Sequence, residues 1–257
     1  MPINPLKKVL ITGAASGLGR LAATQYAAKK IEVAALDIDN DGLTSLSKAF
    51  PEIHTYHVDI TDSQAVTETI HNIYATFEKI DRVIHAAAIM PCGSIMEHPT
   101  ANIHQVMHIN YGGLVNLTKA ILPMMLKQDY GQFVVFSSML GIMPTLKTAA
   151  YSASKFATSV FTEILAQEHI DSNIQFACIC PPAVKTPLLD QVKATAWPKI
   201  LDETAPLSPQ TVLNAMEKGL QKKHFWIYPD TRSSIGAKMR RLFPAQVWKH
   251  IHGVEKA

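Results

Sequence analysis

The chain has 257 residues, a formal net charge of +3, 47% hydrophobic residues and 18% charged ones. That balance excludes a disordered chain, gives no ground for a nucleic-acid partner, and fits one large α/β domain with a sizeable core. The three cysteines, Cys92, Cys178 and Cys180, match neither a disulfide framework nor a zinc site, and no apolar run is long enough to span a membrane.

Residues 7–12 (KKVLIT) predict a buried strand running into Gly13, Gly17 and Gly19, with an alanine-rich helix from Leu21. Strand, glycine loop and helix form a cradle in which backbone N–H groups and a helix N-terminus meet a pyrophosphate. Thr12, Ser16 and Leu18 belong to the same loop. Residues 31–36 (IEVAAL) predict a second strand ending at Asp37. Its carboxylate is placed to accept from ribose hydroxyls and to repel a 2′-phosphate. Ala15, Ser16 and Ile38 offer no cation, so NAD is expected rather than NADP; helix capping in this acidic turn is the competing reading. Pro51 ends the next helix. A third strand over 53–58 leads to Asp59 and Ile60, at the adenine end of such a cofactor. Val66, Ile70, Ile73 and Phe77 mark an amphipathic helix over 62–79. Residues 81–88 predict a fourth strand and a small-residue turn, Ala86, Ala87 and Ala88, with room for a cofactor against the backbone.

A helix is expected over 100–129, weakened where Asn110 and Gly112-Gly113 interrupt an apolar stretch. Residues 131–137 predict the fifth strand, which delivers Ser138 at its C-terminal end, where open parallel sheets bind ligands. The helix over 149–169 carries Tyr151 and Lys155 four apart, on one face. A free phenol has a pKa near ~10. A neighbouring ammonium favours the phenolate, so such a pair can act as an acid–base group; a chance, solvated helical pair is the competing reading. Residues 174–180 predict a sixth strand with both its thiols on one face. Pro181-Pro182 then turns the chain, and 183–207 reads as a long loop of the kind that forms lids. Ser208 and Pro209 open a helix through Leu220, and 224–228 reads as a seventh, edge strand. The alternation implies a Rossmann-like, doubly wound parallel sheet in one domain over 1–230, followed by a tail over 231–257.

Thr12-Gly13-x-x-x-Gly17-x-Gly19, Asp59, Asn110, Ser138, Tyr151-x-x-x-Lys155 and Pro181 through Thr186 occur in an order and spacing that resembles the short-chain dehydrogenase/reductase family. The resemblance covers roughly residues 6–228 and implies hydride transfer between NAD(H) and a secondary alcohol or ketone. It implies Tyr151 as general acid/base, Ser138 as the partner of the substrate oxygen, and Asn110 as the anchor of a relay water. Lys155 would lower the tyrosine pKa and hold the nicotinamide ribose, while Pro181, Val184 and Thr186 meet the carboxamide end. A homodimer or homotetramer is implied as well. Two departures stand out. His85-Ala86-Ala87-Ala88 replaces the family's Asn-Asn-Ala-Gly, and Pro181-Pro182 replaces its Pro-Gly, removing a backbone donor.

Met90, Met139, Met143, Leu188 and Trp197 lie near the serine or in the 183–207 segment. They predict an apolar, lipid-, terpenoid- or steroid-like substrate, with core packing as the competing reading. From Gln221 onward the net charge is +6. Ile235, Met239 and Leu242 fall at helical steps with Lys238, Arg240 and Arg241 off that stripe, which suits packing on the chain itself, on a subunit, or weakly on a membrane surface. Met1–Lys8 is polar, so no signal peptide is expected, and the default location is cytoplasmic, with a peripheral membrane contact as a variant. The alternatives to an enzyme are a regulator that binds NAD or NADH without turnover and a membrane-surface scaffold.

Overall fold

A computed structural model describes residues 6–256; most of the Met1–Lys8 stretch read as leader-free lies outside them. Seven strands form one sheet: β1 (Lys8–Thr12), β2 (Glu32–Asp37), β3 (Ile53–His57), β4 (Arg82–His85), β5 (Gly131–Phe136), β6 (Ile174–Ile179) and β7 (Trp226–Ile227). Their order is β3-β2-β1-β4-β5-β6-β7, the doubly wound Rossmann-like arrangement expected. The registered pairs β1–β2, β1–β4, β2–β3, β4–β5 and β6–β7 are all parallel. The strand order reverses between β1 and β4, the position at which such sheets open a ligand crevice.

The chain forms two compact units. The first comprises the residues up to Ala87, Gly112–Val135 and Ile164–Ala177; the second comprises Ala88–Tyr111, Phe136–Glu163 and everything from Cys178. In the first unit, Val9–Ile11, Val33–Leu36, Val83–Ile84 and Phe133–Val135 are buried without alternation, as strands covered on both faces must be. Helix α1 (Gly17–Ala28) buries Ala22, Ala23, Tyr26 and Ala27. Helix α2 (Asn40–Ala49) is capped by Asp39, whose Oδ1 accepts from Gly42 N at 3.0 Å. Helix α3 (Ser63–Phe77) buries the predicted Val66, Ile70, Ile73 and Phe77. Asp62 caps it by accepting from Gln64 N and Ala65 N, each at 3.0 Å, a contribution of about 1 kcal/mol.

The helix expected over 100–129 is divided. Helix α4 (Thr100–Met107) passes through one wide π turn, His108–Gly112, into α5 (Gly113–Gln128). A Cβ at Gly113 would stand 2.6 Å from Ile60 Cγ2, so the glycine lets α5 approach Ile60. Asn110 lies buried inside the wide turn, a motif that recurs at functional sites.

In the second unit α6 (Ala149–Glu168) follows β5. The 183–207 segment is not the open loop expected. It contains helix α7 (Pro187–Thr195) and a 3₁₀ turn, Lys199–Glu203, closed at its base by a bridge between Val184 and Leu207. Pro187 occupies the first turn of α7, where its missing N–H costs nothing. Helix α8 (Pro209–Gln221) has the expected Ser208 cap, accepting from Thr211 N at 3.1 Å. The tail forms α9 (Thr231–Leu242) and α10 (Pro244–Lys256). Among the described residues no helix is long and apolar enough to cross a membrane.

Candidate active site

In the first unit the predicted cofactor residues gather at the C-terminal ends of β1, β2 and β4. Thr12 is buried; its Oγ1 lies 2.9 Å from His85 Nδ1 and accepts from Ala86 N and Ala87 N at 3.3 and 3.4 Å. This hydroxyl ties the turn after β1 to the turn after β4, and it gives His85 a structural role. Gly13 has φ +68°, and a Cβ there would stand 2.7 Å from Ala87 N. At Gly19 a Cβ would collide with Gly13 O. Ser16 occupies the N-cap of α1 but makes no side-chain cap bond, so the first-turn N–H groups, Gly17 and Leu18 among them, have no intrahelical acceptor. A backbone cradle that a single methyl would fill, beside an uncapped helix N-terminus, fits a dinucleotide pyrophosphate. Asp59 Oδ1 accepts from Thr61 N and Thr61 Oγ1, both at 2.8 Å, and the neighbouring Ile60 is buried.

Asp37 is more committed than expected. Its Oδ2 accepts from Ala15 N at 2.8 Å and its Oδ1 from Asp39 N at 3.0 Å. Sequence reasoning also missed Arg20. Its Nη1 donates to Ala15 O at 3.2 Å and Gly42 O at 2.9 Å, and its Nη2 to Ser45 Oγ at 3.1 Å. One turn of helix brings a guanidinium to a loop whose own residues carry no cation. Its place just after Gly19 was the signal.

The second unit holds the four side chains expected to carry the chemistry, Asn110, Ser138, Tyr151 and Lys155. Asn110 is 0% exposed, Tyr151 and Lys155 3% and Ser138 7%, so all four act shielded from water. Ser138 Oγ accepts from Leu140 N at 3.1 Å. Lys155 Nζ donates to Phe136 O at 2.8 Å and stands 5.8 Å from the centre of the Tyr151 ring. Asn110 reads the Ile89 backbone from both sides: its Oδ1 accepts from Ile89 N at 2.9 Å and its Nδ2 donates to Ile89 O at 3.0 Å. The same Nδ2 donates to Ser154 Oγ at 2.9 Å, and Ser154 in turn donates to Tyr151 O at 2.8 Å. Ser154 is a second residue that sequence reasoning missed. It links the wide turn to the tyrosine, and its position three after Tyr151 was the available clue.

The description "short chain dehydrogenase" matches residues 7–197. The chain belongs to the short-chain dehydrogenase family. It is 30% identical over 184 residues to 2-dehydro-3-deoxy-L-rhamnonate dehydrogenase (NAD(+)) of a Sphingomonas species, covering 71% of this chain and 74% of the relative. A short-chain dehydrogenase/reductase from Burkholderia phymatum solved with NAD superposes with a TM-score of 0.83 at 20% identity, covering 91% and 92% of the two chains. A Shigella flexneri chain solved with NADP superposes with a TM-score of 0.75 at 26% identity, covering 86% and 95%. This short-chain dehydrogenase is therefore an oxidoreductase acting on CH–OH groups, in a family that binds NAD(P).

Two electrostatic features depart from the expectation that Lys155 lowers the tyrosine. Burial raises the Tyr151 phenol above its ordinary value, and the nearby Ser138 hydroxyl offsets that only in part. The phenol is thus held protonated. Burial also lowers the Lys155 ammonium to about 8, against the favourable pull of Cys178 and Cys180. At the phenol its own burial outweighs the neighbouring groups, and the ammonium is turned to the Phe136 carbonyl.

The candidate substrate residues fall into two groups. Met90, with Leu188 and Trp197 against it, packs in one cluster with Tyr151, Cys92 and Val192. Met139, with Met143 against it, packs with Cys178 and Cys180 instead, so those two do not share the apolar cluster of Tyr151. Cys178 of β6 and Cys180 just past its end turn their sulfurs to one side, 4.0 Å apart. Gln191 and Thr195 of α7 were not foreseen; they accept from Met90 N at 2.7 Å and Cys92 N at 2.9 Å and hold α7 against this cluster. Ala88, Pro181, Val184 and Thr186 also lie in the second unit. Pro181 O accepts from Met139 N at 2.8 Å, which ties the Pro-Pro turn to the residue after Ser138.

Proposed function

We propose that this enzyme is an NAD-preferring dehydrogenase/reductase for an apolar secondary alcohol or ketone. The observation that carries the reading is the shielded set of Ser138, Tyr151, Lys155 and Asn110 within one unit. NAD(H), when bound, supplies or accepts the hydride. In reduction, the Tyr151 phenol, protonated because it is buried, gives its proton to the substrate oxygen, and the Ser138 hydroxyl steadies the negative charge developing there. Lys155 holds the ribose of the nicotinamide and supports proton return to Tyr151, while Asn110 fixes the turn through which a water relays that proton. Thr12, Gly13, Ser16, Gly17, Leu18, Gly19 and the Ala86-Ala87-Ala88 turn carry the pyrophosphate end, with Asp59 and Ile60 at the adenine. Pro181, Val184 and Thr186 meet the carboxamide.

NAD is preferred because the Asp37 carboxylate repels a 2′-phosphate and because Arg20 is already engaged by three oxygen acceptors. The Sphingomonas relative is named for a polar keto acid, whereas the cluster around Tyr151 here is built from Met90, Leu188, Leu189, Val192 and Trp197; that lining supports an apolar ligand. A second copy of the chain is expected on α6, where Phe156, Val160 and Ile164 are exposed along one face with no exposed cation among them.

The test is consumption of NADH and of NADPH against a panel of apolar and polar ketones, in wild type and in Tyr151→Phe. Turnover with NADH on apolar ketones, reduced about 10³-fold in Tyr151→Phe at an unchanged thermal midpoint, is the expected result. Tight NADH binding without turnover on any substrate would replace the enzyme with a sensor.

A further inference from the structure

We propose that helix α9 seats this protein on an anionic lipid surface. Among the described residues eleven large hydrophobic side chains are exposed, and four of them, Ile235, Met239, Leu242 and Phe243, belong to α9 and its end. Steps of four and three put Ile235, Met239 and Leu242 on a single helical face, with Phe243 exposed at the helix end. The inward face carries small residues beside Arg240, whose Nε is buried. Ser233 is buried, Ala237 packs on the Met139–Cys178–Cys180 cluster, and a Cβ at Gly236 would meet the Met139 and Met143 methyl groups at 3.7 Å. The helix thus turns its small residues to the protein and its large apolar ones to solvent, the reverse of an ordinary surface helix. Leu242, at 68% exposed, is the clearest case.

Charge decides the occupant. Lys238 and Arg241 are exposed on α9 beside the stripe, and the chain from Gln221 onward carries a net +6. A second copy would use this patch against itself, setting these cations against their own duplicates. The α6 face, which exposes no cation, suits a copy; the α9 face does not. A lipid headgroup layer accepts large apolar side chains at the acyl boundary and cations at its phosphates, without requiring a shape match.

The experiment is flotation of the full chain with vesicles of phosphatidylcholine alone and with phosphatidylglycerol added, at low and high salt. Binding to the anionic vesicles alone, weakened by salt, is expected. Lys238→Ala and Arg241→Ala should each lower the partition about fivefold, and Ile235→Ser/Leu242→Ser should abolish binding. Unchanged thermal midpoints show that these exposed-site variants fold. Absence of wild-type binding, or equal binding by the variants, overturns the proposal. So does a solution mass that falls in Ile235→Ser/Leu242→Ser with vesicle binding intact, because it assigns the stripe to a second copy. Vesicle binding requires no turnover, so this proposal and the catalytic reading fail separately.

Discussion

The two units solve different problems with different parts of the residue. In the first, function is a matter of what is missing: without side chains, Gly13 and Gly19 let backbone pack where a Cβ would collide, beside a helix N-terminus that no side chain caps. In the second, function is a matter of what is present: a phenol, an ammonium, a hydroxyl and an amide, all buried. Their polar cores differ accordingly. The first unit locks Asp81, whose Oδ2 takes Lys7 N and Lys8 N at 2.8 Å each and whose Oδ1 takes the Tyr130 hydroxyl. That network is complete, anchors strand ends, and reaches no reactive group. The second unit's network, from Ile89 through Asn110 and Ser154 to Tyr151, ends on the backbone carbonyl of that tyrosine. A cradle is therefore broken by adding atoms, and a reactive cluster by removing them.

The sharpest test of this contrast is Gly19→Ala. The added carbon collides with Gly13 O, and overpacking of this kind costs about 1–3 kcal/mol. Cofactor affinity should fall at least tenfold, read by quenching of tryptophan fluorescence on NADH addition, together with the thermal midpoint. Tyr151→Phe, by contrast, should leave both in place while turnover collapses. If Gly19→Ala bound NADH like wild type, the cradle would not be where the cofactor sits.

A second test uses pH. The folded Lys155 holds its proton only to about 8, whereas an unfolded lysine holds it to about 10.5. Between these values the unfolded chain binds more protons at this residue, so its contribution to stability rises with pH and is lost as pH falls through 8. Raised tyrosines such as Tyr151 work in the opposite direction at higher pH. Denaturant titrations of wild type and Lys155→Met from pH 7 upward isolate the lysine. Wild type should gain on the variant by on the order of 3 kcal/mol at most. A flat difference would mean that Lys155 keeps its proton when folded. Reduction should also slow above about 8 as the ammonium is lost.

The smallest effect is expected within the second unit. Glu255 of α10 pairs with Lys147 at 3.3 Å, with its own side chain 7% exposed, and accepts from Ile200 N at 3.3 Å. Lys147 Nζ also donates to Trp197 O at 3.3 Å. The tail thereby clamps the segment that carries Trp197. Glu255→Gln keeps the shape and weakens the pair. KM for an apolar ketone should rise a few-fold with kcat little changed and the thermal midpoint lowered slightly. A drop in kcat at constant KM would place Glu255 in the chemistry instead.

Much of this molecule is written in short-range patterns. The strands β1 to β6 follow from apolar runs, the caps Asp39, Asp62 and Ser208 from local side-chain–backbone chemistry, and the Tyr151–Lys155 face from helical spacing. The glycine loop was legible because a missing side chain is as visible in sequence as a present one. What depended on distant partners was not legible. The division of the 100–129 helix comes from Asn110 bonding to Ile89 and Ser154 and from Gly113 meeting Ile60. The ordering of 183–207 comes from Gln191 and Thr195 accepting from Met90 and Cys92. The protonated state of Tyr151 follows from burial, which spacing along one helix does not report. Sequence determined which groups the protein owns; tertiary packing decided how much water each one keeps, and through that the charge it carries.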